Sequence, residues 1–227
     1  MNLLRILIIF FLFQFKANAL IEVDITRGNL NPLPIAVSPL SSDSESLIKF
    51  EKILKLENIG SEISIIVENN LKQTGLFNPL NKDSFLQKPE IAHLKPRFED
   101  WSLIKSQALI TGRVEIVEEK LRVEFRLWDV LAAKEMLALA FTTVPNNWRR
   151  VGHIITDKIY ERLTGEKGYF DTRIIYVAEE GPKTKRVKKL AIMDQDGFNL
   201  KYLTLGNELV LTPRFNPTNQ MVTYLSY

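Results

Sequence analysis

The sequence predicts an α+β domain, with a mixed or antiparallel sheet and helices on one face, followed by the first blade or so of an incomplete β-propeller. The propeller prediction comes from residues 174–178 (IIYVA) and 222–226 (VTYLS), which share one apolar pattern and lie 48 residues apart. Such a period, with turn residues between short strands, is typical of blades that bury their faces only against neighbouring blades. The α+β prediction comes from residues 34–168, where helical spacing lies on both sides of a run of alternating strands.

One repeat and a fraction cannot close a ring, so we expect the chain to be the front part of a larger protein. A fragment, the product of a split gene and a decayed copy would each give this pattern. The sequence has no cysteine, which excludes a disulfide framework and fits a domain large enough to hold a core without one.

Residues 1–19 predict an export signal. They carry Arg5 near the start, then the apolar run 6–15, and they end in small residues at Ala19. This order of charged, apolar and small-residue regions predicts a signal peptide that is cleaved between Ala19 and Leu20. The apolar run is shorter than the roughly 20 residues that cross a bilayer, so an uncleaved anchor is the less favoured alternative.

Removal of the signal changes the charge balance. The signal holds Arg5 and Lys16 and no acidic residue, so its loss lowers the formal charge from +3 to +1. The basic pI of about 9.0 for the whole chain therefore gives no support for nucleic-acid binding.

The first part of the α+β domain shows helical spacing. The predicted elements are, in order, a tail or edge strand within 20–33, a core strand at 35–37, helices at 44–56 and 61–72, and a short helix at 98–105. Gly60 is predicted to separate the two longer helices and Gly75 to end the second. Residues 76–80 are predicted to break away from the helix, and Trp101 is predicted to face the core.

The sequence predicts three strands and a helix for the second part of this domain. The strand-like runs are residues 108–117, 121–129 and 135–144. Short connections between the runs predict an antiparallel meander, whose apolar side needs the helices as cover. Pro145 is predicted to open a final helix and Gly165 to close it, and we place the domain boundary after Gly168. Residues 169–227 form the partial propeller.

Two polar segments in the propeller part carry alternative interpretations. Residues 194–197 (DQDG) begin like a calcium loop, but no bidentate acid follows, so a hairpin turn at Asp196 and Gly197 is favoured. Five basic residues lie between 183 and 189. They suit either an anionic partner or, as the favoured interpretation, a solvated hairpin.

Neither of the two histidines is predicted to carry out catalysis or to bind a metal. His153 and Asp157 stand at i and i+4, near enough for an ion pair or hydrogen bond on one helix face. A catalytic dyad would need a nucleophile, and the chain has neither cysteine nor a G-x-S-x-G motif. A structural pair is therefore favoured. His93 has no second ligand at metal spacing, and neither a metal nor another cofactor is predicted.

The run from Arg149 to Val177 contains the pattern R-x-x-G-H-x-x-x-D, followed by L-T-G-x-x-G-x-F-x-T-R-I-x-Y-V. This stretch resembles the helix and linker between the two domains of the TolB family, the periplasmic component of the Tol-Pal envelope system. Residues 34–40 and 77–80 also resemble that family. The resemblance covers nearly all of the chain after the signal, but only the beginning of the family's propeller. It implies an interdomain structural role for His153, Asp157, Gly165 and Gly168.

The resemblance also implies a non-enzymatic role in the periplasm. The propeller would bind Pal, the peptidoglycan-associated lipoprotein, and the mature tail would contact the C-terminal domain of TolA, with effects on outer-membrane integrity and cell division. The tail residues concerned are Ile21, Glu22, Val23, Asp24, Ile25, Thr26 and Arg27. Their apolar alternation suits strand addition to a partner sheet, while an edge strand of the chain's own domain is the structural alternative.

Two other classes of function remain as alternatives. The chain could be the N-terminal part of an exported hydrolase of the prolyl oligopeptidase type, in which a propeller covers a catalytic domain; this would need a serine nucleophile beyond residue 227. A nucleic-acid-binding module is suggested by analogy of the α+β architecture alone, and the export signal argues against it.

Overall fold

The structure, a computed structural model, describes residue 21, residues 31–219 and residues 221–227. The predicted signal peptide, its cleavage site at Ala19 and Leu20, and six of the predicted tail residues, 22–27, lie outside the described residues. Among the residues that are described, no helix combines the length and apolar character that a membrane crossing requires.

A five-stranded mixed sheet forms the first domain, with the strand order β2-β1-β3-β4-β5. The strands are β1 (Leu33–Val37), β2 (Phe77–Pro79), β3 (Ala108–Val117), β4 (Lys120–Asp129) and β5 (Lys134–Thr143). β1 runs parallel to both β2 and β3, while β3, β4 and β5 form the predicted antiparallel meander. The segment predicted to break away from the helix, residues 76–80, contains the edge strand β2, whose backbone pairs with that of β1.

In the described residues, five α-helices accompany this sheet: α1 (Ser44–Leu54), α2 (Ile59–Gln73), α3 (Pro89–Ala92), α4 (Phe98–Leu103) and α5 (Trp148–Thr164). The main core contains residues of α1, α2 and α5 together with the alternating apolar residues of β4. A smaller cluster lies around Ala36 and Leu109 on the opposite face of the sheet, and α3 and α4 cover it with Ala92 and Trp101. The predicted fold class is confirmed, and two short helices also cover part of the second face.

The sequence predicts that Gly60 separates α1 from α2, and this prediction is wrong. Gly60 lies in the first turn of α2, where an added Cβ would overlap the carbonyl oxygen of Leu40. The break between the helices comes earlier, at Lys55, which takes a left-handed conformation with φ of 55°. Asn58 then caps α2 by accepting the N–H of Ser61 at 3.0 Å. Gly60 is thus required for a close approach of two segments.

The second part of the chain contains two small antiparallel sheets. One consists of β6 (Arg173–Glu180), β7 (Val187–Asp194) and β8 (Lys201–Tyr202), and the other of β9 (Val210–Phe215) and β10 (Val222–Ser226). The two copies of the sequence repeat fall in β6 and β10. These sheets do not close into a ring, which confirms the prediction of an incomplete propeller. The boundary after Gly168 stays a prediction.

Candidate interdomain site

The last helix of the first domain holds the connecting segment by its backbone. The α5 helix ends at Gly165, which adopts φ of 76° and donates its N–H to Glu161. The chain then turns back, and the Asp157 carboxylate accepts backbone N–H groups of Phe170 at 2.6 Å and Asp171 at 3.1 Å. Two backbone donors that would otherwise lack a partner are satisfied in this way.

Gly168 allows the close approach of the linker to Asp157. An added Cβ there would overlap both the Cα and the carboxylate of Asp157. At Gly165 an added Cβ would meet nothing within 4 Å, and only the left-handed backbone favours glycine. The two glycines therefore serve different physical purposes in one turn.

Burial and hydrogen bonding act in opposite directions on Asp157. Burial raises the pKa of this carboxyl above its ordinary value, while the hydrogen bonds from the backbone of Phe170 and Asp171 oppose that shift. Within the described residues, no hydrogen bond or ion pair joins His153 to Asp157. Asp157 binds the linker, and His153 faces the second domain.

An arginine of α5 contacts the turn between β7 and β8. The Arg149 guanidinium donates a hydrogen bond to Oδ2 of Asp196, and its Cζ lies 3.7 Å from the centre of the Phe198 ring. The side chains of Arg149 and Asp196 are 16% and 14% exposed. This pair is consequently much less screened by solvent than an ordinary surface pair.

The neighbouring residue, Arg150, also pairs with an acidic residue outside α5, but this pair is exposed to solvent. Arg150 binds Asp171 in a two-pronged arrangement, with Nε to Oδ1 at 2.9 Å and a terminal nitrogen to Oδ2 at 3.0 Å. The hydrogen bond and charge of Asp171 raise the pKa of Arg150. Its side chain is 60% exposed, so solvent weakens the contribution of this pair to stability.

His153 belongs to a buried chain of hydrogen bonds that crosses from one domain to the other. Its Nδ1 lies 2.9 Å from the Asn70 side-chain nitrogen on α2. That nitrogen also donates to the Thr156 hydroxyl at 3.2 Å, while the Asn70 oxygen accepts from the Gln195 side chain at 2.9 Å. Burial is the main cause that lowers the pKa of His153; Asp196 opposes the shift and Arg149 adds to it.

The same turn offers ligand-type atoms but no vacant cation position. One atom each of His153, Asp194 and Asp196 lie within 4.8 Å of one another. However, Arg149 already bonds Oδ2 of Asp196, and the Asn199 side chain donates to Asp194. A divalent cation would therefore have to displace an arginine. This cluster is an ion-pair network.

The turn itself explains why residues 194–197 look like a calcium loop. Gly197 has φ of 86° and donates its N–H to the Asp194 carbonyl at 3.0 Å. Oδ1 of Asp196 accepts the N–H of Phe198 at 3.2 Å. The acidic residues shape a tight hairpin and supply the partner of Arg149.

The structure places a serine beside a histidine, an arrangement that the sequence did not indicate. The Ser41 hydroxyl lies 3.1 Å from Nδ1 of His93, and it donates to the Gly112 carbonyl at 3.2 Å. Nδ1 of His93 is also 3.3 Å from the Pro89 carbonyl, which can only accept. In the tautomer that donates from Nδ1 to the Pro89 carbonyl, this nitrogen cannot take a proton from Ser41 as a general base would.

The basic hairpin has local acidic partners. Arg186 and Lys188 pair with Glu179 at 2.7 and 2.8 Å, and Lys189 pairs with Glu180 at 2.9 Å. These cross-strand pairs fit the solvated hairpin that the sequence favoured.

Of the predicted tail residues, Ile21 is described. Its N–H lies 3.4 Å from Oδ2 of Asp129, and its side chain packs against the main core of the first domain. The other tail residues, 22–27, lie outside the described residues. Docking of the tail on a partner stays a prediction.

Taken together, the fold and the site define a class. The chain has an α+β domain joined to propeller strands by a partly buried polar network, in which Nε2 of His153 and Nε of Arg149 are buried without a hydrogen-bond partner. This is a two-part protein in which the turn after β7 contacts α2 and the last helix of the first domain.

Comparison with known proteins gives the family. The TolB amino-terminal domain matches residues 21–136 and the TolB β-propeller domain matches residues 160–227. The chain therefore belongs to the TolB family, as the resemblance of its α5 helix and linker predicted. That membership confirms the expectation that the chain is not an enzyme, and the family is that of an envelope-associated Tol-Pal component.

Two relatives illustrate the extent of the match. The Tol-Pal system protein TolB of Pelagibacter ubique (strain HTCC1062) is 80% identical over 226 residues, which are 99% of this chain and 51% of that protein. The crystal structure of TolB from Acinetobacter baumannii shares the fold with a TM-score of 0.69 and 24% identity, over 92% of this chain and 47% of that one. The chain thus spans about half the length of the curated relative it matches.

Proposed function

We propose that the protein is a periplasmic connector of the Tol-Pal system, in which the mature tail binds the C-terminal domain of TolA and the propeller binds Pal. Such a connector would couple the inner membrane to the outer envelope during constriction and support outer-membrane integrity. The observation that carries this proposal is the family match over both domains. The interdomain network supports it, because a connector must keep its two binding regions in a defined relation.

The tail would bind by adding a strand to a sheet edge of TolA. In that mode the backbone supplies hydrogen bonds, and side chains on one face fix the register. Alternate residues of the tail, Ile21, Val23 and Ile25, are apolar, and the residues between them are Glu22 and Asp24.

Calorimetry with the isolated TolA C-terminal domain tests this mode. Deletion of residues 20–31 is expected to abolish binding, and unchanged affinity would rule out the tail as the docking element. Two alanine variants provide the matched comparison, one at Val23 and Ile25 and the other at Glu22 and Asp24; Ile21 is left unchanged because its side chain packs against the core of the first domain. Strand addition predicts that the apolar set weakens binding far more than the polar set, whereas equal losses would contradict it.

Pal binding is tested by comparison with the longer relative. The complete TolB of Pelagibacter ubique is 80% identical over the shared region, so it provides a closely matched protein that has the additional length. If the Pal surface requires further blades, Pal will bind that protein more tightly than this chain. Equal affinity would place the Pal surface within the residues shared by both.

A further inference from the structure

We propose that the chain of hydrogen bonds from His153 through Asn70 to Gln195 makes the contact between the two domains sensitive to protons, so that acidification releases the turn between β7 and β8 from the first domain. We call these three residues the amide relay. The inference concerns the domain contact alone and goes beyond the binding of TolA or Pal.

The direction of the relay is fixed by Thr156. Its hydroxyl donates its one hydrogen to the Gly152 carbonyl at 2.8 Å. Toward Asn70 it can therefore only accept, which means that the Asn70 group 3.2 Å away must be the NH₂. The same NH₂ lies 2.9 Å from Nδ1 of His153. Nδ1 must consequently accept, and the proton of the neutral imidazole sits on Nε2.

The other end of the relay reaches the second domain. Because the Asn70 NH₂ faces Thr156 and His153, its oxygen faces outward and accepts from the Gln195 amide at 2.9 Å. Gln195 is half-buried in the turn after β7. The orientation of one asparagine thus serves the imidazole and the domain contact together.

Protonation of His153 conflicts with this arrangement. A second proton must go to Nδ1, where it would point at the Asn70 NH₂, so two donors would face each other at hydrogen-bonding distance. Rotation of the Asn70 amide would relieve this clash. However, the Asn70 NH₂ would then face the NH₂ of Gln195, and the Thr156 hydroxyl would lose the hydrogen bond that it accepts from Asn70. Either response costs a buried hydrogen bond.

Several charges surround the imidazole and act in opposite directions. They are Arg149 and Asp157 on α5, Asp171 on the linker, and Asp194 and Asp196 at the turn; the group that faces it from α2 is the neutral Asn70 amide. Nε2 lies 3.4 Å from Oδ2 of Asp196, which favours the cation. Burial outweighs the acidic groups and lowers the pKa of His153 below the ordinary value of 6.5.

The sign of the pH effect follows by linkage. With the domains apart and the imidazole in water, His153 would bind a proton at its ordinary pKa, whereas in the closed contact it binds one less readily. The open form therefore takes up more protons below about pH 6.5, and the contact weakens as the pH falls through that range. Above that range the closed contact keeps its full stability.

The chain has two histidines, so carbon-labelled imidazole NMR can follow both, with His93 as the internal reference and His93→Gln for assignment. We expect His153 to titrate below the ordinary value, and the side-chain amide signals of Gln195 to move with the same midpoint. Titration of His153 at or above the ordinary value, or Gln195 signals that do not change with it, would overturn the proposal.

Thr156→Val tests whether the hydroxyl sets the direction. This change frees Asn70 to turn its oxygen to Nδ1, so the midpoint of His153 should shift upward. Thr164→Val is the matched control. Thr164 lies on the same helix, and its hydroxyl also donates to the carbonyl four residues earlier, that of Tyr160, at 2.8 Å. Equal midpoints in wild type and Thr156→Val would contradict the relay.

Gln195→Glu provides a second test outside the core of the first domain. A carboxylate at this position accepts from the Asn70 NH₂, which turns the Asn70 oxygen to His153 and raises its midpoint. Gln195→Asp adds the same charge at the same residue, but its side chain is one methylene shorter and does not reach the Asn70 NH₂. A larger upward shift for Gln195→Glu supports the relay, whereas equal shifts would reduce the effect to charge alone and overturn it.

Discussion

The carboxylate of Asp157 accepts the backbone N–H of Phe170 at 2.6 Å, so a side chain in the middle of α5 fixes the segment that leaves the helix. The Phe170 side chain is 1% exposed and its ring lies 5.8 Å from that of Tyr160 in an edge-to-face arrangement. The linker is thus held both by its backbone and by an aromatic anchor in the core.

Asp157→Ala is expected to loosen the linker. The substitution leaves the N–H groups of Phe170 and Asp171 without their acceptor, and each part-buried donor that loses a partner costs about 1–3 kcal/mol. We expect faster hydrogen exchange at these two amides and a lower free energy of unfolding. Lys158→Ala on the same helix is the control, since Lys158 pairs with Glu161 at the surface. Equal exchange in both variants would show that the carboxylate does not hold the linker.

Gly165 and Gly168 are expected to respond differently to asparagine. Asparagine tolerates the left-handed conformation, so Gly165→Asn should cost less than about 1 kcal/mol. Gly168→Asn places a Cβ on Asp157, and the resulting displacement should cost about 3 kcal/mol. Chemical denaturation of the two variants measures the difference. A Gly168 variant as stable as the Gly165 variant would mean that the linker can move away without loss.

Much of the first domain follows from local pattern. The alternation of Leu121 to Leu127 fixes which face of β4 is buried, and all four apolar residues of that set are at most 1% exposed. The predicted role of Gly60 as a break between two helices is wrong, because Gly60 admits the Leu40 carbonyl, a contact between segments that local spacing does not reveal.

The interdomain site was only partly predictable. The motif predicts an interdomain role for His153 and Asp157, and their i, i+4 spacing predicts that they are each other's partners. Their actual partners come from outside the helix. Asn70 is a polar residue within the apolar stripe of α2, which is a usable signal, but its bond to Gln195 spans 125 residues of sequence. No spacing rule reaches that far.

Asp43→Asn is expected to change the pH dependence of stability and little else. Asp43 caps α1 by accepting the N–H of Ser46 at 2.7 Å, and this bond, followed by Ser46 and Arg113 side-chain contacts, lowers its pKa below the ordinary 3.8. The contribution of the ionised cap is therefore present above pH 3.8 and is lost as the pH falls through the lower folded-state pKa. Asparagine caps about as well as aspartate.

The measurement is the free energy of unfolding of both proteins between about pH 2 and pH 7, a range that includes the ordinary aspartate pKa of 3.8. Because the Asp43 side chain is 43% exposed, solvent screening limits the difference to a few tenths of a kcal/mol. We expect the wild type to lose stability relative to Asp43→Asn at acid pH. Parallel curves would indicate that the charge of the cap contributes nothing.

Arg149 and Asp196 are expected to be coupled more strongly than Arg150 and Asp171, although both pairs join an arginine of α5 to an acid beyond it. The first pair is mostly shielded from solvent, and the Arg149 guanidinium also lies over the Phe198 ring. Double-mutant cycles to alanine should give about 1–3 kcal/mol for this pair and less than about 1 kcal/mol for the exposed pair.

Arg149→Lys should lose most of the coupling, because an ammonium cannot reproduce the planar contact with the ring and the carboxylate. Arg150→Lys should lose little. Equal coupling energies in the two cycles would mean that burial of the Arg149–Asp196 pair does not strengthen the contact between α5 and the turn that follows β7.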